Sequence, residues 1–219
     1  MIRALGLLTF LSLFAAGCGG SEDAPAAANA AATERKAAPS RPPVPVTDTP
    51  RVRIETGAGA IVVELDARRA PITAANFLAY VDQNRFDGTA FYRAARTRGA
   101  PERGFIQGGI RRAATRALPR IAHEPTSQTG LTHREGAISM TRMEPGTAMG
   151  DFIITANAIP SMDARGDEPG FAVFGRVVEG MDVVRRILAA ETVAGAGRGA
   201  MRGQMIERPV TIVSARRVP

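Results

Sequence analysis

From residue 51 to the C-terminus the chain keeps returning to short strand-like runs, and only two stretches interrupt them with helical periodicity. RVRIE and AIVVEL flank Thr56-Gly57-Ala58-Gly59, where the glycines permit a tight hairpin connection. AFYRA, GFIQGG, GAISM, DFIITA, FAVFGRVV and PVTIVSARR follow, separated by stretches rich in Gly, Pro and Asp. ARRAPITAANFLAYVDQNRF reads as a helix: Pro71 suits a first turn, and Ile72, Ala75, Leu78 and Val81 recur at helical spacing. EGMDVVRRILAA reads as a second, amphipathic helix with Met181, Val184, Ile187 and Leu188 on one stripe. A parallel sheet would need a helix after nearly every strand, and the sequence does not supply them. The pattern predicts a mainly β domain, an antiparallel barrel closed or nearly closed, with two helices.

The first fifty residues follow a different pattern. MIRALGLLTFLSLFAAGCGG has a charge at Arg3, an apolar run from Ala4 to Ala16, then Gly17-Cys18. The run is shorter than the roughly 20 residues of a comfortable membrane span and fits a secretory leader. Its end, AAGC at 15–18, resembles a bacterial lipobox, in which the cysteine is lipidated and becomes the mature N-terminus. Ala15 stands where leucine is usual. Cys18 is the only cysteine, so it has no internal disulfide partner. Residues 19–50 hold almost no large apolar side chain and are dominated by Ala and Pro, a composition that cannot offset its own ordering entropy. The expected organisation is a lipoprotein leader at 1–17, a lipidated Cys18 with an Ala/Pro-rich disordered tether to 50, and one domain at 51–219. This places the domain in a bacterial cell envelope, held by lipid and facing the periplasm. Gly19, where some inner-membrane lipoproteins carry aspartate, points to the outer membrane.

Charge and missing residue types narrow the chemistry. The chain carries a net +7, and Lys36 is its only lysine, so arginine takes the surface role that lysine usually shares. No nucleic-acid-binding motif and no aromatic interleaving accompany that charge, so nucleic acid is not an expected partner. Between Arg93 and Arg120 eight arginines face one acid, Glu102, a stretch suited to solvent, an anionic membrane surface or acidic clients. His123 and His133 lie ten apart, off any helical ligand spacing, and read as ordinary polar residues near turns. There is no metal-ligand cluster, no G-x-S-x-G elbow, no phosphate loop and no dinucleotide fingerprint. The domain therefore either binds something or catalyses a reaction that needs neither nucleophile, metal nor cofactor.

DGTAFYRA with FIQGG, then GAISM followed by DFIIT, then FAVFGRVVEGMDVV, resembles the cyclophilin-type peptidyl-prolyl cis-trans isomerases. The resemblance runs in order from the first hairpin to the last strand. It implies an eight-stranded antiparallel barrel closed by two helices, acting as a monomer on proline-containing polypeptides. The implied reaction makes and breaks no covalent bond; it is slow because amide resonance must be given up. By resemblance Arg93, in FYR, is the arginine that hydrogen-bonds the prolyl nitrogen of the twisted amide. Gln107 is the glutamine that positions that arginine and holds substrate backbone. Phe105, Thr141, Arg142, Ile153, Met162 and Phe171 fall at substrate-binding positions.

Several positions depart from the family pattern. Ile153 stands where a second phenylalanine usually follows Phe152, so the pocket floor loses flat aromatic surface. Arg142 replaces an asparagine and makes the rim cationic, while Phe171 replaces a histidine. Gly104 falls at a position that is often phenylalanine, and the link from Arg93 to Phe105 is long, so Arg96, Arg98 and Arg103 read as a solvated inserted loop. These departures motivate a second expectation: a catalytically weak module of the same fold that holds proline-containing segments as a chaperone or scaffold.

Overall fold

The computed structural model describes residues 49–111 and 113–219. The expected leader, Cys18 and the tether up to residue 48 lie outside the described residues. Eight strands form a closed antiparallel barrel in the order β1-β2-β7-β5-β6-β4-β3-β8. They are β1 Arg51–Thr56, β2 Gly59–Leu65, β3 Thr89–Thr97, β4 Ala100–Gly109, β5 Ala137–Met140, β6 Asp151–Thr155, β7 Ala172–Glu179 and β8 Met205–Val218. Each strand-like run of the sequence becomes one of these. Just ahead of β1, Pro50 is buried, and its carbonyl accepts the Leu65 amide at 2.9 Å.

The two expected helices are α1 Pro71–Asp82 and α3 Met181–Leu188; a single-turn helix, α2 Thr126–Thr129, adds to them. α1 lies against β7 and β8, while α3 lies against β2, β3 and β4. The expected stripe of α1 holds in its second half, where Leu78 and Val81 are buried, and fails in its first. Ile72 and Ala75 are exposed, whereas Thr73, Ala74, Phe77, Tyr80 and Val81 are buried. The apolar pattern misled because Thr73 and Asn76 enter the interior as satisfied polar groups. Asn76 Nδ2 donates to the Met149 carbonyl at 2.7 Å. Thr73 meets Glu124, whose carboxylate is 3% exposed and takes the place of a side-chain cap at the start of α1. It accepts the Ile72 amide at 3.1 Å, the Thr73 amide at 2.7 Å and the Thr73 hydroxyl at 2.6 Å. A carboxylate there matches the orphan amides and the positive end of the helix dipole.

Inward-pointing side chains from every strand make one core. Phe77 meets Phe152 edge-on with ring centroids 5.3 Å apart, and Phe86, Phe91 and Phe174 join the cluster. Among the phenylalanines of residues 51–219, only Phe105 and Phe171 lie outside it.

Candidate active site

β3, β4, β6 and β5 are consecutive neighbours in the barrel wall, and the predicted site residues lie along them or in the loops they feed. Ile106 of β4, Phe152 and Ile154 of β6, and Ile138 and Met140 of β5 belong to the interior core. Alternation therefore turns Phe105, Gln107, Ile153 and Ser139 to the other face. Strict alternation on β3 would put Arg93 on the same side as Phe91, inside the core. A β-bulge prevents that. The register shifts between Phe91 and Arg93 on both flanking strands, so Phe91 and Ala94 both reach the core while Tyr92 and Arg93 stay out of it. Arg93 then pairs across the ladder with Gln107.

The Arg93 guanidinium is held on three sides. Nη1 donates to Gln107 Oε1 at 2.9 Å, and Nε donates to Gln204 Oε1 at 2.8 Å. Its plane lies over the Phe105 ring, 5.0 Å from the centroid. A long contact of 3.5 Å joins Nη2 to the Ala200 carbonyl. All of these acceptors are neutral. Partial burial pushes the guanidinium below its ordinary pKa, but arginine keeps its charge at any physiological pH. Five N–H donors serve at most three protein acceptors, which leaves donors for a ligand.

Ile153 is the link between two groups of predicted residues. It pairs with Gln107 on one side and with Ser139 on the other. Beyond Ser139 lie Thr141, Arg142, Met162 and Phe171. The Phe171 amide donates to the Met162 carbonyl at 3.0 Å, joining those two rim residues. Arg142 stacks over Phe171 at 5.3 Å and donates from both Nε and Nη2 to the Gly170 carbonyl and from Nη1 to that of Met143. Thr141 gives both its amide and its hydroxyl to the Asp151 carbonyl, at 2.9 and 3.0 Å. Ile153 is 1% exposed, so it underlies the site as a sealed floor.

The segment carrying Arg96, Arg98 and Arg103 is not the inserted loop expected from the sequence. It is instead a continuation of the β3–β4 hairpin, with Thr97 paired to Ala100. Arg98 and Arg103 are exposed as expected, but Arg96 is not free. It donates to the carbonyls of Leu188 and Ala190 and to Thr192 Oγ1, which closes the C-terminus of α3 with a cation. Gly104 is fixed by the same hairpin. Its φ is +135°, and a Cβ there would lie 1.9 Å from the Ala95 carbonyl oxygen, so no aromatic side chain can occupy this position. The aromatic ring beside Arg93 is Phe105 instead.

His133 is a second correction. It is 1% exposed and central to a buried relay: Nδ1 lies 2.6 Å from Asp163 Oδ1, and Nε2 lies 3.0 Å from Ser139 Oγ. These contacts tie β5 beneath Ile153 to the turn that carries Met162. Burial lowers the His133 pKa, and Asp163 partly offsets this. The order Ser-His-Asp matches a nucleophilic triad, but Ser139 is 0% exposed and no substrate carbonyl can reach it. The relay is structural. A cleft of about 560 Å³ lies elsewhere, along β2 and β7, where Glu64 sits between Arg51 and Arg176. None of the predicted site residues lines it.

An antiparallel eight-stranded barrel with two long helices packed on it defines a fold of the cyclophilin kind, and a glutamine-braced arginine lies on its outer face. The model of the family described as cyclophilin type peptidyl-prolyl cis-trans isomerase/CLD matches residues 51–217, so the chain belongs to that family and is a peptidyl-prolyl cis-trans isomerase by class. A peptidyl-prolyl cis-trans isomerase from Acinetobacter baylyi is 34% identical over 169 residues, covering 74% of this chain and 82% of the relative. One from Streptomyces antibioticus is 35% identical over 174 residues, covering 75% and 96%. Among solved structures, a cyclophilin type isomerase from Cryptosporidium parvum superposes with a TM-score of 0.63 at 19% identity, covering 78% of this chain and 98% of that one. The same protein was also solved in the presence of the dipeptide Ala-Pro.

Proposed function

We propose that the chain accelerates cis–trans exchange at X–Pro bonds of secreted and envelope proteins, with Arg93 as the group that acts on the amide. The observation that carries this reading is the fixation of Arg93 by Gln107, Gln204 and Phe105 with donors to spare. Rotation about the bond must pass a barrier of about 18–20 kcal/mol, because the planar amide loses resonance. In the planar state the prolyl nitrogen is a poor acceptor; once twisted, its lone pair is localised and accepts a hydrogen bond. A donor aimed at that atom strengthens only at the top of the barrier, which is the condition for catalysis. Gln107 and Gln204 hold the fork in place in advance, so little reorganisation is left to the reaction itself. Phe105, Met162 and Phe171 offer apolar surface for the proline ring above the Ile153 floor, while Arg142 and the backbone at Thr141 form the rim for the flanking chain.

The protein acts as a monomer, anchored by lipid on Cys18 and facing the periplasm, with outer-membrane attachment suggested by Gly19. The residues around Gly17-Cys18 and the Ala/Pro-rich stretch after them support this placement. The test of the reaction is exchange of an Ala-Pro peptide followed by NMR, comparing the wild type with Arg93→Ala. Fast exchange that collapses in the variant supports Arg93 as the catalytic residue; equal exchange for both overturns it. Peptide affinity and client protection that survive Arg93→Ala would identify the holding module instead. For the anchor, mass spectrometry of the mature N-terminus should find an acylated Cys18, and an unmodified N-terminus would exclude it.

A further inference from the structure

We infer that this site selects prolyl segments carrying a carboxylate within a few residues of the proline, with Arg142 as the residue that reads it. The inference rests on the isomerase reading above and names its substrate class. Nine ion pairs occur among the described residues, and every arginine in them lies outside the predicted site: Arg51, Arg53, Arg69, Arg176, Arg185, Arg186, Arg216 and Arg217. Arg93 and Arg142 differ. Both are partly buried and well bonded, yet every acceptor they meet is a neutral amide or carbonyl. Each also lies over one of the two phenylalanines outside the core, Phe105 and Phe171. Glu144, Asp167 and Glu168, the exposed acids of the neighbouring loops, form no ion pair with either. Neither site arginine thus has an ion-pair partner among the described residues, and each is fixed in direction by stacking and by neutral amide or carbonyl acceptors.

Their roles separate by position. Arg93 is committed to the reacting amide, and a carboxylate drawn to it would compete with the prolyl nitrogen. Arg142 follows the end of β5, three strand steps from β3 in the barrel order. Arg93, Gln107, Ile153 and Ser139 are in register across these strands. Three spacings of about 4.8 Å across the strands and three residues along the chain past Ser139 put the Arg142 backbone about 17 Å from that of Arg93, the reach of about five residues of extended chain. A proline seated at Arg93 therefore brings a flanking carboxylate, but not its own residue, to the Arg142 guanidinium. Because Arg142 is already held on Phe171 and Gly170, a carboxylate meets a pre-ordered fork rather than a mobile side chain.

The test uses the purified full chain and a set of peptides with one proline and one Glu. The Glu is placed in turn at each of five positions on either side of the proline, and every peptide has a Gln twin. At low ionic strength the Glu form should show kcat/KM about two- to fivefold above its twin at one or more of these positions. The ratio should fall towards one in 0.5 M NaCl, where screening is strong. In Arg142→Gln the same Glu-to-Gln ratio should fall towards one, whatever happens to the absolute rates. Equal rates for the twins at every position would overturn the inference while leaving isomerisation standing. A ratio that survives in Arg142→Gln would overturn the assignment to Arg142. Absence of turnover on every peptide would overturn the isomerase reading, and this inference with it.

Discussion

Arg93 Nη1 donates to Gln107 Oε1 at 2.9 Å across the β3–β4 ladder, between two residues that the bulge after Phe91 brings into register. The same guanidinium uses Nε for Gln204 and lies over Phe105, which leaves its spare N–H donors for a ligand. Lysine cannot reproduce this, because a single ammonium has neither the planar fork nor the reach to satisfy both amides. Arg93→Lys should therefore keep the fold and lose about 10²-fold or more in kcat/KM for an Ala-Pro peptide, a loss typical of removing one transition-state donor. NMR exchange beside a thermal melt checks this; turnover within threefold of wild type would show that charge alone suffices.

Gln204 is a partner of Arg93 that the sequence did not disclose. Its side chain meets Arg93 while its backbone carbonyl accepts the Ala94 amide at 2.9 Å, so the segment before β8 is tied to β3 independently of the side chain. Gln204→Ala should leave that backbone tie and release only one side of the guanidinium. The expected result is a three- to tenfold fall in kcat, about the worth of one net hydrogen bond, with KM changed less than twofold. A purely structural role predicts the reverse: unchanged kcat on the folded fraction and a lowered melting temperature.

The barrel was legible in the sequence because short β-branched and apolar runs recur between stretches rich in Gly, Pro and Asp, and both long helices were legible from their apolar spacing. What alternation could not reveal was where it breaks. Arg93 faces the site only because of a bulge, which leaves no mark in composition. Gln204 is 111 residues from its partner, and nothing local links the two. The first half of the α1 stripe, Ile72 and Ala75, is exposed because Thr73 and Asn76 are buried in its place, made tolerable by Glu124 and by the Met149 carbonyl. His133 looked like a turn residue since its partners come from 30 residues downstream and from inside a strand. Tertiary satisfaction of polar groups is the common cause of these misses.

Glu124 gives a stability prediction that is separate from activity. Removing a buried carboxylate that accepts three donors leaves the Ile72 and Thr73 amides and the Thr73 hydroxyl without partners. Glu124→Ala should cost about 3 kcal/mol, seen as a fall of about 6–12 °C in Tm, with Arg93-dependent turnover of the folded fraction retained. Glu124→Gln should cost less, because one carbonyl oxygen remains as acceptor while its amide nitrogen must face another donor. Equal melting temperatures for wild type and Glu124→Ala would show that water replaces the carboxylate.

The His133 relay carries a pH dependence whose direction follows from its burial. Its imidazole is held below the ordinary pKa, chiefly because the charged form would be desolvated, and Asp163 only partly counters this. The unfolded chain therefore binds the proton more readily than the native protein does. By linkage, the contribution is fully present above the unfolded pKa of about 6.5 and is lost as pH falls through the lower native value. Glu64, Asp66 and Asp87 also have depressed pKa values; they add the same sign of dependence, but only below the ordinary carboxylate range. The interval between about pH 6.5 and 5 thus isolates His133. Urea midpoints should decline across it, with a slope no steeper than about 1.4 kcal/mol per pH unit for one proton. In His133→Gln, which can still bond Ser139 and Asp163 but cannot titrate, the decline over that interval should vanish. A slope that persists in the variant would assign the effect to other groups and leave the relay without a role in acid sensitivity.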